Sequence, residues 1–249
     1  MPAPTPGPAR TTVYGIDPAQ VYDVRLPAAA PTGTTVIVVH GGFWRAGWDR
    51  EHAAPQAQAF ADAGHHVAVV EYRRTGMPGG GWPGTFADVS AVVEAVRADP
   101  SLPDRCVLVG HSAGGHLVAL AAARPEATGL SGVVALAGCV DLAMTRDRGL
   151  GDGAAAAFMG AADAETWRRA DPALNPPVVP VVLVHGVADD TVPVAVSESY
   201  ARSRLRTPAS PGAAVDLRRV AGAGHMDVIE PGTPAFQVVV EAVARLTSD

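Results

Sequence analysis

The sequence predicts an α/β fold: a mostly parallel central sheet with helices packed on both of its faces. Three observations carry this. Short runs rich in Val, Ile and Leu alternate with stretches whose apolar residues recur every three or four positions. The short runs are apolar almost without interruption, as befits strands covered on both faces rather than one. A chain of 249 residues, 48% of them hydrophobic, can build one large core.

The opening "MPAPTPGPAR" is rich in proline and alanine with no apolar segment behind it. Residues 1–12 are therefore expected to be a disordered lead-in rather than a signal peptide, and residues 13–249 a single domain. "TTVIVVH" (34–40) reads as a strand and runs into the loop "GGFWRAGWDREH". "AAPQAQAFADAG" (53–64) has helical spacing and stops at Gly64. "HVAVVEY" (66–72) is the next strand, followed by a glycine-rich loop and the helix "TFADVSAVVEAVRADP". Then come "RCVLVGH" as strand, "SAGGHLVALAAARP" as helix and "LSGVVALAGCV" as strand. Residues 141–177 break the rhythm and read as a short lid or insertion at a strand's C-terminal end, the edge where ligands bind in open α/β sheets. "PVVLVHG" is a strand, "VAVSESYARSRL" a helix, "VDLRRVAG" a strand and "TPAFQVVVEAVARL" a closing helix.

Composition narrows the chemistry. Net charge is −6, and the basic residues, all arginine, are scattered, so no basic stripe suggests nucleic acid or an anionic membrane. Without lysine, Schiff-base catalysis, a lysine base and a P-loop are excluded. Cys106 and Cys139 fall in apolar runs and read as buried free thiols, too few for a disulfide framework. There is no His-Glu-x-x-His or comparable cluster, so no metal or other cofactor is expected. No apolar run approaches the ~20 residues of a membrane span. The expectation is a cytoplasmic protein whose partner is a small molecule.

Gly110-His111-Ser112-Ala113-Gly114 stands where a strand run meets a helical one. Gly-x-Ser-x-Gly in that setting is a nucleophile elbow: the serine sits in a strained turn, and the glycines remove the clashes around it. Ser112 is the expected nucleophile. A hydroxyl needs a base at neutral pH, and after such an elbow the acid and then the histidine follow along the chain. His116 lies on the nucleophile's own helix and His185 ends a strand, whereas His225 lies in the glycine-rich loop "AGAGHMDV" and is the expected base. The acid should follow "PVVLVHG". Asp189, at the head of Asp-x-x-Val-Pro, is preferred to Asp190, and Asp141 is a weaker candidate. An oxyanion needs preorganised donors. "HGGFW" (40–44) follows a strand, so the N–H groups of Gly42 and Phe43 are expected to act with that of Ala113. Trp44, Trp48 and Trp82 in loops, with Phe158 and Trp167 in the insertion, suggest a pocket for a flat apolar acyl or aryl group. Arg73 and Arg74 either grip a substrate carboxylate or brace these loops.

These residues resemble the α/β-hydrolase superfamily over nearly the full length. More narrowly they are similar to the kynurenine formamidase (arylformamidase) group and its esterase relatives, and bacterial feruloyl and acetyl-xylan esterases share much of the pattern. "HGGFW" matches the group's His-Gly-Gly-x-Trp signature, with Phe43 where hormone-sensitive-lipase-like esterases carry a third glycine. "GHSAGGHL" and "GHMDVIEP" resemble its nucleophile and histidine segments, although Met226 stands where an aromatic is usual. The resemblance implies an α/β-hydrolase fold with a short lid and a cofactor-independent serine hydrolase. Such an enzyme would cleave aryl formamides, N-formylkynurenine among them, and short-chain esters through an acyl-enzyme. Two alternatives stay open: a carbohydrate-ester (feruloyl or acetyl) esterase, and a catalytically silent ligand receptor on the same fold.

Overall fold

The computed structural model describes residues 5–206 and 213–248. Its strands are β1 (Arg10–Val13), β2 (Val21–Arg25), β3 (Thr35–Val39), β4 (His66–Val70), β5 (Cys106–His111), β6 (Gly132–Leu136), β7 (Val181–Gly186) and β8 (Val215–Val220). They form one sheet in the order β1-β2-β4-β3-β5-β6-β7-β8. From β4 through β8 the neighbours are parallel. β1 and β2 add an antiparallel edge. The six parallel strands are those the apolar runs predicted. β1 and β2 were not foreseen, and β1 begins inside the segment 1–12 expected to be disordered. Its four residues alternate between half-buried and exposed, so they leave no apolar run to read.

Alternation along the strands splits the core in two. Val36 and Val38 of β3, Val107 and Val109 of β5, and Val182 and Val184 of β7 face one side. There they meet Phe60 of α1 (Ala54–Asp62) and Phe236 and Val239 of α8 (Pro234–Thr247). Ile37, Leu108 and Leu183 face the other side. They meet Val92 and Val96 of α2 (Gly84–Arg97), Leu117 of α3 (Ala113–Ala121) and Val196 and Tyr200 of α7 (Ala195–Arg206). Each such aliphatic side chain taken from water contributes roughly 1.5–3 kcal/mol. A central strand shifted by one residue would exchange these two sets, and so the register is fixed.

The region 141–177, where the rhythm of the sequence breaks, carries α4 (Leu142–Asp147), α5 (Leu150–Met159) and α6 (Ala164–Ala170) between β6 and β7. Asp171 ties it down. Its buried carboxylate accepts the backbone N–H groups of Leu142, Ala143 and Ala173 at 3.0, 3.1 and 3.0 Å. Burial dominates at this carboxyl and raises its pKa. Among the described residues no helix is long and apolar enough to cross a membrane, and no group of three or more His, Cys, Asp or Glu is placed to hold a metal ion.

Candidate active site

β5 ends at His111, α3 begins at Ala113, and Ser112 is the hinge between them, with φ 55° and ψ −115°. That left-handed backbone costs a serine on the order of 1–3 kcal/mol, so its surroundings must impose it. They do. Ser112 N–H donates to Leu136 O at 2.8 Å, while its carbonyl accepts from His116 and Cys139 at 3.1 and 3.2 Å. The flanking glycines are required by contact. A Cβ on Gly110 would lie 2.3 Å from Gly114 O, and one on Gly114 would lie 2.2 Å from Val39 O. Helix, strand and elbow meet too closely for any side chain there.

The loop after β3 crosses beside this hinge. Gly42, Phe43 and Trp44 take φ values of 106, 49 and 56° in succession, an arrangement rare for non-glycine residues. The loop is held from behind by Glu71, whose buried carboxylate meets His40 Nε2 at 3.1 Å and Arg74 at 3.2 Å and accepts Arg50 N–H at 3.0 Å. Burial alone would raise the Glu71 pKa, but the hydrogen bond from His40 and the neighbouring cations outweigh it and hold the group ionised. Among the described residues, no protein acceptor takes the N–H of Gly42 or Phe43. Ala113 is the first residue of α3, where N–H groups have no partner within the helix. A Cβ on Gly42 would sit 2.4 Å from the Trp48 Cβ. Gly42→Val is thus expected to displace the loop and lower kcat by a few hundred-fold, with a modest change in melting temperature. Parallel kinetics and thermal melts check this, and matched losses of both would assign the glycine to the fold alone.

The candidates for acid and base meet across two loops. His225 Nδ1–H donates to Asp189 Oδ2 at 2.7 Å. Asp189 Oδ1 accepts the N–H groups of Thr191 and Val192 at 2.9 and 2.8 Å. His185, which lies at the end of β7, supplies the remaining support. The Ser197 hydroxyl donates to its Nδ1 at 2.7 Å, and its Nε2–H donates to Val192 O at 2.8 Å, with Asp189 Oδ2 3.2 Å away. Burial would raise the Asp189 pKa; the hydrogen bonds from His185 and His225 outweigh it and hold the carboxyl far below the usual range. Asp190 is exposed and, among the described residues, hydrogen-bonds only the Thr191 hydroxyl, while Asp141 caps α4.

Ser112 and His225 border one cavity of about 210 Å³, together with Gly42 and Phe43 of the loop. Trp48, His52, His111, Thr191 and Met226 complete its lining. His111 Nε2–H donates to His225 O at 3.0 Å. Burial pushes the pKa of His111 down to about 3, so it remains a neutral brace. Cys139, free and buried beside the Ser112 hydroxyl, has its pKa pushed up by burial to about 12.

The pocket expectation needs correction. Trp48 lines the cavity; Trp44, Trp82, Phe158 and Trp167 do not. Trp44 is fully buried, stacked on Phe158 at 4.9 Å and edge-on to His116 at 5.2 Å. Phe43 borders the cavity while Trp44 fills the core behind it. Trp82 packs against Phe86, and Trp167 lies under the Arg146 guanidinium. Arg73 is spent on Asp88, at 2.6 and 2.8 Å, and Arg74 on Glu71 and the Trp48 carbonyl. His52, His111 and Thr191 were missed. His111 had a signal, since it occupies the variable position before the nucleophile; the other two have none outside their tertiary setting.

The sheet order, the elbow at the end of β5 and the acid and histidine that follow define an α/β hydrolase. More particularly, the chain belongs to the BD-FAE family, whose model matches residues 22–203. It is 32% identical over 144 residues to the probable carboxylic ester hydrolase LipM of Mycobacterium tuberculosis, covering 50% of this chain and 33% of that protein. It is 30% identical over 249 residues to the esterase LipC of the same organism, covering 87% and 59%. The chain therefore spans between a third and three-fifths of the length of these curated relatives. Among solved structures it is similar to a truncated carbohydrate esterase from gut microbiota, with a TM-score of 0.77 at 22% identity, covering 98% of this chain and 100% of that one.

Proposed function

We propose that this chain is a serine hydrolase of carboxylic esters with small acyl groups. The observation that carries the reading is the 2.7 Å Asp189–His225 hydrogen bond at the rim of the cavity that Ser112 borders. With Nδ1–H held by Asp189, the imidazole turns its basic Nε2 toward the cavity. It takes the proton of the Ser112 hydroxyl as Oγ attacks the acyl carbon. The oxygen that becomes negative is stabilised by the N–H groups of Gly42, Phe43 and Ala113, together with the positive end of α3. As the tetrahedral adduct collapses, His225 gives the proton to the departing alcohol and leaves an acyl-serine, which water then hydrolyses by the same steps reversed. The names of LipM and LipC support this reading.

A narrower reading, aryl formamides such as N-formylkynurenine, is supported by the resemblance of "HGGFW" and by a small cavity that suits formyl, the smallest acyl group. With Trp44 in the core, an aromatic wall for the leaving group has to come from Trp48. The test is labelling of Ser112 by a fluorophosphonate, followed by kcat/KM for N-formylkynurenine, p-nitrophenyl acetate and p-nitrophenyl octanoate. The octanoate is expected to fall at least tenfold below the acetate, since each methylene with no place to go changes binding by ~1 kcal/mol. Equal rates for the two chain lengths would contradict a small acyl site, and no label at Ser112 would remove the hydrolase reading.

A further inference from the structure

The catalytic cavity continues into a second one. His52 and Met226 line both, and beyond them Pro55, Ile229, Glu230 and Pro231 border a groove of about 460 Å³. The two ends of the combined cleft differ. At the end away from the groove, Phe43 closes against the insertion: a Cβ on Gly151 would sit 2.7 Å from its ring. Arg45 Nη2 donates to Gly151 O at 2.6 Å and pins that contact. Behind it, Trp44 and Phe158 leave no space. Toward the groove the walls are open and mostly apolar, Thr5 and Glu230 being the polar exceptions, with Trp48 51% exposed and Met226 42% exposed.

The chemistry says which part of a substrate lies at which end. The leaving oxygen must receive its proton from His225, so the alcohol portion starts beside that ring. Residues 226–231 follow His225 directly in the chain and carry the groove's wall away from it. His52 stands at the threshold, 4.9 Å from the Trp48 ring and 6.2 Å from His111, and among the described residues its imidazole has no hydrogen-bond partner. Burial holds its pKa below the ordinary histidine value, so a neutral ring faces the passage.

We infer that the groove beyond His52 and Met226 receives the alcohol portion of the ester, so that the substrates are small-acyl esters of bulky, largely apolar alcohols or phenols. This rests on the hydrolase reading above and adds the direction in which the substrate lies and the class of its leaving group. Trp48 stacks on the first ring of that group, and Met226, Pro55 and Ile229 cover what extends further.

The test holds the acyl group and the leaving-group acidity nearly constant while the alcohol grows: phenyl acetate against 4-phenylphenyl acetate. Burying a second ring in the groove is expected to raise kcat/KM by about tenfold or more. Pro55→Trp, at an exposed position in the first turn of α1, and Met226→Trp, at the threshold, each fill the path. Both should bring the ratio of the two kcat/KM values down toward one. A ratio is read within one preparation, so partial loss of folded protein does not disturb it. A wild-type ratio near one, with phenyl acetate hydrolysed, overturns the groove assignment and leaves the hydrolase intact. A high ratio unchanged in both variants also overturns it. Hydrolysis of neither ester overturns the hydrolase reading and this one with it.

Discussion

Replacing Ser112 with alanine is expected to lower kcat by about 10⁴–10⁶-fold while the melting temperature stays within about 4 °C of wild type. Activity and stability separate here because the hydroxyl has little part in the packing. The elbow is built by the Ser112 backbone, through its bonds to Leu136, His116 and Cys139, and by Gly110 and Gly114. Alanine keeps all of these, at the same left-handed φ. What is removed is the atom proposed to attack the acyl carbon, and a residual rate would then come only from the proposed oxyanion donors and from binding. Single-turnover kinetics with p-nitrophenyl acetate, alongside a thermal melt, measure both quantities. Activity within tenfold of wild type would move the nucleophile elsewhere.

The parallel sheet, the elbow at Ser112 and the pairing of Asp189 with His225 were legible in the sequence for one reason: each is written in local patterns or chain order. An uninterrupted run such as "TVIVV" can only be a strand buried on both sides, and a strand that ends on a serine between two glycines leaves little room for anything but an elbow. Asp189 and His225 followed from chain order. The edge strands escaped because the four residues of β1 alternate between half-buried and exposed, and because β2 carries Tyr22, Asp23 and Arg25 where the parallel strands have uninterrupted apolar runs. The pocket escaped for a different reason. Loop residues 43 and 44 both take positive φ, yet one ring borders the cavity and the other is core, and no local pattern in the sequence distinguishes them. His52 entered the cleft, and Glu71 came behind the loop, through contacts twenty to sixty residues apart. Only the fold supplies those.

Asp189→Asn is expected to cost about 10³–10⁴-fold in kcat, against less than tenfold for Asp190→Asn, and the hydrogen-bond count gives the reason. Two backbone donors, Thr191 and Val192, face Oδ1, and two imidazole N–H groups, from His225 and His185, face Oδ2. Asparagine has one oxygen. If that oxygen stays with the backbone donors, the amide NH₂ points at both histidines, where an acceptor is needed. His225 then answers by moving its proton to Nε2, leaving Nδ1 to accept, and in that tautomer it can no longer take the serine proton. The same substitution should leave a mark on acid stability. The folded-state pKa of Asp189 lies below that of the unfolded chain, so unfolding at low pH takes up a proton. The stabilisation is therefore complete above the unfolded value of about 4 and is lost as pH falls through the folded one. Between pH 5 and pH 2, urea titrations of wild type should show stability declining with a steeper slope than in Asp189→Asn, which has no such proton to bind. Equal slopes would mean that the carboxylate is not held ionised by its two histidines. A larger kinetic loss in Asp190→Asn would transfer the role to the neighbouring residue. Because the two measurements read different states of the same group, the kinetic loss and the shallower acid slope should appear together in Asp189→Asn.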